Sequence, residues 1–128
     1  MKIEHIAIWV RDLEGMKNFY ANYFGARASN EYHNPNKAFS SYFLSFADGP
    51  RMELMYNPVI AEKPNDGEVR MGLIHFAISV GSRKRVDDIT ELLRQSGYTI
   101  QGEPRTTGDG YYESVVLDPE ENRIEITV

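Results

Sequence analysis

Two stretches of the chain alternate with period two and follow the same plan. In residues 2–10, Ile3, His5, Ala7 and Trp9 share one face and Glu4, Ile6, Ile8 and Val10 the other, as expected of a strand. His75-Phe76-Ala77-Ile78-Ser79-Val80 repeats His5-Ile6-Ala7-Ile8-Trp9-Val10, with Leu73, His75, Ala77 and Ser79 on one face and Ile74, Phe76, Ile78 and Val80 behind it. After each strand the period becomes helical. Asp12 reads as an N-cap before Leu13, Met16, Phe19, Tyr20, Tyr23 and Phe24, and Gly25 ends that helix in a left-handed conformation. Ser82 caps a second helix with Val86, Ile89, Leu92 and Leu93 on one side, ended by Gly97.

The remaining pattern is β. In the first half a strand is expected over 26–32, a polar turn at His33-Asn34-Pro35-Asn36, a strand over 39–46, and a turn at Ala47-Asp48-Gly49-Pro50 leading into Arg51–Tyr56. In the second half the strands are expected near Tyr98–Gln101, at Tyr112–Leu117 and at Arg123–Val128, separated by turns at Thr107-Gly108-Asp109-Gly110 and at residues 118–122. His5 and His75 lie 70 residues apart, whereas Gly25/Gly97 and Glu53/Glu125 lie 72 apart, so the second copy carries a two-residue insertion. Each half is therefore βαβββ. The fold class is α+β: one domain over 1–128, with module one at about 1–57, a connection at about 58–71 and module two at about 72–128. Asn57-Pro58, Lys63-Pro64 and Asn65-Asp66-Gly67 mark the connection.

Composition narrows the function. The net charge of −5 contains no long run of either sign, which argues against nucleic acid or an anionic membrane as partner. The absence of cysteine excludes disulfides, thiolate zinc sites and cysteine nucleophiles. No apolar run approaches the roughly twenty residues of a membrane span, and the strand pattern starts at the N-terminus. A cytoplasmic protein is the expectation.

The candidate chemistry lies in the duplicated pattern. Each histidine heads its strand, and 48 or 50 residues later a glutamate stands at the centre of an otherwise apolar strand: Met52-Glu53-Leu54 and Ile124-Glu125-Ile126. Burying a carboxylate there without a partner is costly. If each glutamate strand pairs beside the histidine strand of its own half, each half offers one imidazole and one carboxylate on one face. Two such halves supply an N₂O₂ set suited to Ni, Co, Zn, Fe or Mn. A six-coordinate ion would keep two positions for water or substrate. It can polarise two neighbouring oxygens and stabilise an enediolate while a glutamate moves a proton between adjacent carbons. Isomerisation beside a carbonyl is the natural reading; metal-assisted hydrolysis uses the same ligands. Outside this set, His33 reads as a surface residue with pocket-rim contact as the alternative, Tyr20 and Tyr23 as helix core, and Tyr111 and Tyr112 as candidates for the pocket mouth. Arg11 and Arg105 read as solvated charges that could meet an anionic substrate but that nothing in the sequence promotes.

The run His5-Ile6-Ala7-Ile8 with Asp12-Leu13 and Phe19-Tyr20, then Glu53-Leu54-Met55-Tyr56-Asn57, His75-Phe76-Ala77-Ile78 and residues 118–125, resembles the glyoxalase I / vicinal oxygen chelate superfamily. The resemblance covers nearly the whole chain. It implies paired βαβββ modules forming half-barrels round a divalent metal, a small-molecule substrate and a homodimer in which ligands from both chains meet. The full His/Glu/His/Glu set is similar to that of bacterial glyoxalase I. This implies His5, Glu53, His75 and Glu125 as ligands, nickel or cobalt ahead of zinc, Glu125 as the base acting on a hemithioacetal, and Glu53 as its opposite partner. Asn57 matches a glutathione contact of the family, whereas Trp9 stands where bacterial glyoxalases usually have an arginine. With Ala7 beside it, Trp9 implies a more apolar substrate-binding face: another thiol adduct, a CoA thioester or an aromatic compound. A methylmalonyl-CoA epimerase-like isomerase and a non-catalytic small-molecule binding protein of the same fold are the alternatives.

Overall fold

The computed structural model describes residues 1–61 and 71–128. The chain divides into two compact units, Met1–Asp66 and Gly67–Val128. The turn formers Lys63-Pro64 and Asn65-Asp66-Gly67 lie outside the described residues. Among the described residues no helix is long and apolar enough to cross a membrane.

In the first unit β1 (His5–Trp9) leads to α1 (Leu13–Phe24), followed by β2 (Arg27–Ala28), β3 (Tyr32–Asn34), β4 (Phe39–Ser45) and β5 (Arg51–Tyr56). The sheet order is β1-β5-β4-β2, with β3 also on β4; β1 runs parallel to β5, and the other pairs are antiparallel. The strand expected over 26–32 is thus two short segments on the same neighbour. The turn expected at 33–36 begins later, in a 3-10 turn at Pro35–Lys37 capped by the Asn34 side chain. The proline supplies the fixed φ that suits this start. Helix α1 buries Met16, Phe19 and Tyr20 against the sheet face that carries Tyr42, Leu44, Met52 and Leu54.

Asp12 caps α1 by accepting a hydrogen bond from the Gly15 backbone N–H at 2.8 Å. Gly15, which costs helix propensity, makes room for this cap, because a methyl group there would collide with the Asp12 carboxylate. At the other end Gly25 adopts φ 67°, its N–H returns to the Ala21 carbonyl, and the following Ala26 N–H returns to that of Tyr20. Asp12→Ala is expected to lower unfolding stability by about 1 kcal/mol, measurable by urea denaturation.

The second unit repeats the plan: β6 (Phe76–Ser79), α2 (Arg83–Gln95), β7 (Ile100–Thr106), β8 (Tyr112–Leu117) and β9 (Arg123–Thr127). Its order is β6-β9-β8-β7, with β6 parallel to β9. Strand β7 runs to Thr106, beyond the expected Gln101, through two irregularities in its pairing with β8. Ser82 caps α2 by accepting from the Arg85 N–H. The buried stripe of α2 is Val86, Thr90 and Leu93, and Leu92 faces outward, contrary to the expected apolar side. Thr90 can take the inner position because its hydroxyl donates to the Val86 carbonyl and meets the Ser114 hydroxyl on β8, both at 2.6 Å. That satisfies a buried polar pair.

Candidate metal centre

In both units the face opposite the helix carries the histidine and the glutamate. In β5, Met52 and Leu54 are buried under α1, so Arg51, Glu53 and Met55 project the other way. The parallel register sets His5 beside Arg51, Ala7 beside Glu53 and Trp9 beside Met55. Imidazole and carboxylate therefore share a face, with His5 Nε2 3.8 Å from Glu53 Oε2. In the second unit Ile124 and Ile126 are buried, Ala77 lies beside Glu125, and His75 Nε2 stands 3.3 Å from Glu125 Oε2. Each histidine sits at or just ahead of the start of its strand, so the side chain reaches along the sheet to the carboxylate.

The surroundings differ between the units. Glu4, one residue ahead of β1, accepts a hydrogen bond from His5 Nδ1 at 2.5 Å. A carboxylate can only accept, so Nδ1 carries a proton, and in the neutral imidazole this leaves the Nε2 lone pair for an ion on the Glu53 side. Hydrogen bonding to His5, and next to Arg51, holds the Glu4 carboxyl below the ordinary carboxylate range. Arg51 donates Nε and Nη2 to Glu4 Oε1 at 2.8 and 2.5 Å and lies 4.2 Å from the Phe43 ring centroid. Phe43 in turn meets the His5 ring edge-on at 5.3 Å. In the second unit Ile74 precedes His75 and Val115 lies beside Glu125, so this network has no counterpart. Glu113, two residues before Val115, belongs to the same face. Burial foremost, and next the like charge of Glu125, pushes its carboxyl above the ordinary range, against the pull of Arg105.

The donor pairs fit a divalent ion. Two cis ligands at about 2.1 Å from one ion stand about 3 Å apart, so separations of 3.3 and 3.8 Å need little adjustment. Among the described residues no group of three or more His, Asp or Glu side chains is gathered to hold an ion. Each unit taken by itself thus offers a two-donor half-site.

The other singled-out residues separate clearly. Trp9 is exposed on the His5 face, edge-on to Phe39 at 6.4 Å, and Phe39 meets Tyr32 at 5.9 Å. Asn57 has its amide nitrogen donating to the Lys37 carbonyl at 3.2 Å and its oxygen accepting from the Val59 N–H at 3.1 Å. His33 lies in β3, its Nδ1 2.9 Å from the Ser40 hydroxyl. Tyr112 shares the parity of buried Ser114 and Val116 and gives its hydroxyl to Asp87 on α2, which puts it on the helix side, away from the open face. Glu4, Phe43 and Glu113 were not apparent from the alternation alone. Glu4 reads there as a residue of the far face, but it precedes the first paired residue of β1 and is free of that constraint.

Comparison with known proteins supports this architecture. Residues 2–126 match the family model of the Glyoxalase/Bleomycin resistance protein/Dioxygenase superfamily. The uncharacterized protein YqjT of Bacillus subtilis is 26% identical over 97% of this chain and 96% of its own length. Lactoylglutathione lyase GLX1 of Arabidopsis thaliana is 29% identical over 95% of this chain, which spans only 42% of that relative. Among solved structures, SMU.1112c superposes with a TM-score of 0.83 at 22% identity, covering 100% of this chain and 98% of that one. Glyoxalase I from Zea mays gives 0.80 at 23% identity, over 98% of this chain and 44% of that one. A match running almost from end to end, over two sheets that each pair a histidine strand in parallel with a glutamate strand, leads to one conclusion: the chain belongs to the Glyoxalase/Bleomycin resistance protein/Dioxygenase superfamily.

Proposed function

We propose that the chain is a metal-dependent lyase or isomerase of the glyoxalase I type. The observation that carries this reading is the duplicated half-site, His5 with Glu53 and His75 with Glu125, each pair on the open face of its own sheet. His5, Glu53, His75 and Glu125 would hold the ion: two imidazoles and two carboxylates without thiolate suit nickel, cobalt or zinc, and the resemblance to bacterial glyoxalase I puts nickel or cobalt ahead of zinc. When bound, such an ion supplies Lewis-acid polarisation of neighbouring oxygens and offsets developing negative charge. The chain's own part is the proton. Glu125 takes it from the carbon beside the carbonyl and returns it to the adjacent carbon, with Glu53 as its opposite partner. Four ligands from two half-sites suit a homodimer with shared active sites.

The substrate is a small molecule carrying neighbouring oxygens, a thiol adduct or a thioester. Asn57 spends hydrogen bonds on Lys37 and Val59, and the cluster of Trp9, Phe39 and Tyr32 extends the His5 face with aromatic surface. Both features favour a substrate with an apolar or aromatic part on the His5 side over glutathione. The test is metal analysis followed by turnover of methylglyoxal with a panel of thiols. Bound nickel or cobalt with turnover supports the proposal; a metal-replete protein inert toward hemithioacetals and CoA thioesters overturns it in favour of a binding protein.

The Glu4–His5 bond yields a separate expectation. An outer carboxylate that fixes the tautomer of a ligating histidine contributes to affinity, so Glu4→Ala should weaken metal binding by about 10- to 100-fold. Competition against a chromophoric chelator measures it, and unchanged affinity would remove Glu4 from the site.

A further inference from the structure

The two units are copies of one plan, yet the arginine two residues ahead of each glutamate is used differently in them. Arg51 is engaged by Glu4 and by the Phe43 ring. At the matching places in the second unit stand Ile74 and Val115, which offer neither charge nor ring. Arg123 is left exposed, with no ion pair, hydrogen bond or ring contact among the described residues.

Replacing phenylalanine by valine also leaves space. A cleft of about 610 Å³ opens on this side of the sheet, lined by Gln101, Gly102, Glu103, Arg105, Val115 and Arg123. Gly102 helps to form it: a Cβ there would stand 3.0 Å from Arg105 Nη1 and 3.3 Å from the Val115 side chain. The guanidinium of Arg105 therefore lies over a bare stretch of backbone beside Val115. Its ion pair with Glu113 is loose, at 3.9 Å, and leaves donors of its planar fork unused. The carboxylate of Glu103 is already held by Arg94 at 2.6 Å. Two cations with donors to spare thus border an open cleft on the face that carries Glu125, with Arg123 two residues from Glu125 along the strand, about 7 Å.

We propose that this cleft is an anion subsite, in which Arg105 and Arg123 receive a carboxylate or phosphate group carried by the substrate at its far end from the reacting carbons. The proposal rests on the reading of Glu125 as part of the reactive centre, and it narrows the substrate class to a thiol adduct or thioester with an anionic arm. Paired guanidinium groups recognise planar carboxylate and phosphate oxygens by charge-assisted hydrogen bonds, a geometry that a lone ammonium does not offer.

The test is an amide NMR titration of the metal-free protein at fixed ionic strength with succinate, with inorganic phosphate and with neutral succinamide. Saturable shifts at Gly102 and Val115 are expected with at least one anion and not with succinamide, and the tighter anion identifies the group. In the Arg105→Gln/Arg123→Gln double variant the affinity should fall about tenfold or more. No saturable shift with either anion, or an equal response in the double variant, overturns the subsite. A second arm compares hemithioacetals of methylglyoxal with 3-mercaptopropionate and with 2-mercaptoethanol. The double variant should raise KM about tenfold for the carboxylate substrate and leave the neutral one unaltered; equal KM changes for both overturn the subsite. Because the titration needs neither metal nor turnover, anion binding without turnover rejects only the catalytic reading. Turnover without anion binding rejects only the subsite.

Discussion

Glu125→Gln is expected to lower kcat by about 10³-fold while leaving the urea unfolding midpoint close to that of the parent chain. The substitution keeps the size and shape of the side chain and removes the one property the proposal needs, a carboxylate able to accept a proton. Stability should survive because Glu125 is partly exposed, no lysine or arginine is bonded to it among the described residues, and an amide can keep the polar contact with His75 Nε2 at 3.3 Å. Removing its charge also takes away the like-charge neighbour that helps to push the Glu113 carboxyl up. Bound metal must be measured on the same sample, since an amide oxygen is a weaker ligand than a carboxylate. Metal retained with turnover lost assigns the proton transfer to Glu125. Turnover retained with metal in place removes Glu125 as the base. Glu53→Gln, made in parallel, asks whether the two carboxylates share the work or divide it.

The parts of the site that were legible in the sequence were those fixed by alternation. Period two in residues 51–56 and 123–127 forces the glutamate onto the face opposite Met52 and Leu54, or Ile124 and Ile126, and the burial of those four residues follows directly. The histidines followed from the repeat, because a second copy of a strand in a second copy of a fold meets the same neighbour. Helix ends were equally local: Asp12, Ser82 and Gly25 act within one turn of chain, so their roles can be read without tertiary information. Three features lay beyond that reach. Leu92 fits a helical stripe by spacing, but the stripe is centred on Val86, Thr90 and Leu93 because Ser114 offers Thr90 a hydroxyl partner across 24 residues. The break between β2 and β3 depends on both segments pairing with β4, a contact distant in sequence. Arg105, like Arg11, reads in the sequence as a charge that could meet an anionic substrate, with nothing to raise it above a solvated one. Its position follows from the irregular register of β7 and from Gly102, which brings it over the open face beside Val115.

Ile126→Ala is expected to cost about 2–5 kcal/mol of unfolding free energy, the opposite profile from its neighbour Glu125. Ile126 is fully buried, and its strand packs under α2, so truncation removes apolar contacts and leaves a void that the surrounding side chains fill only in part. Urea denaturation followed by far-UV circular dichroism measures the loss, and a cost below about 1 kcal/mol would mean that the helix–sheet layer of this unit is not the core described above. The folded fraction of this variant should still bind the ion, because Ile126 and Glu125 point to opposite faces and the register with β6 and β8 is set by backbone hydrogen bonds. Adjacent residues thus carry separable burdens. The buried face sets how firmly the strand is held, and the open face sets what the held carboxylate does.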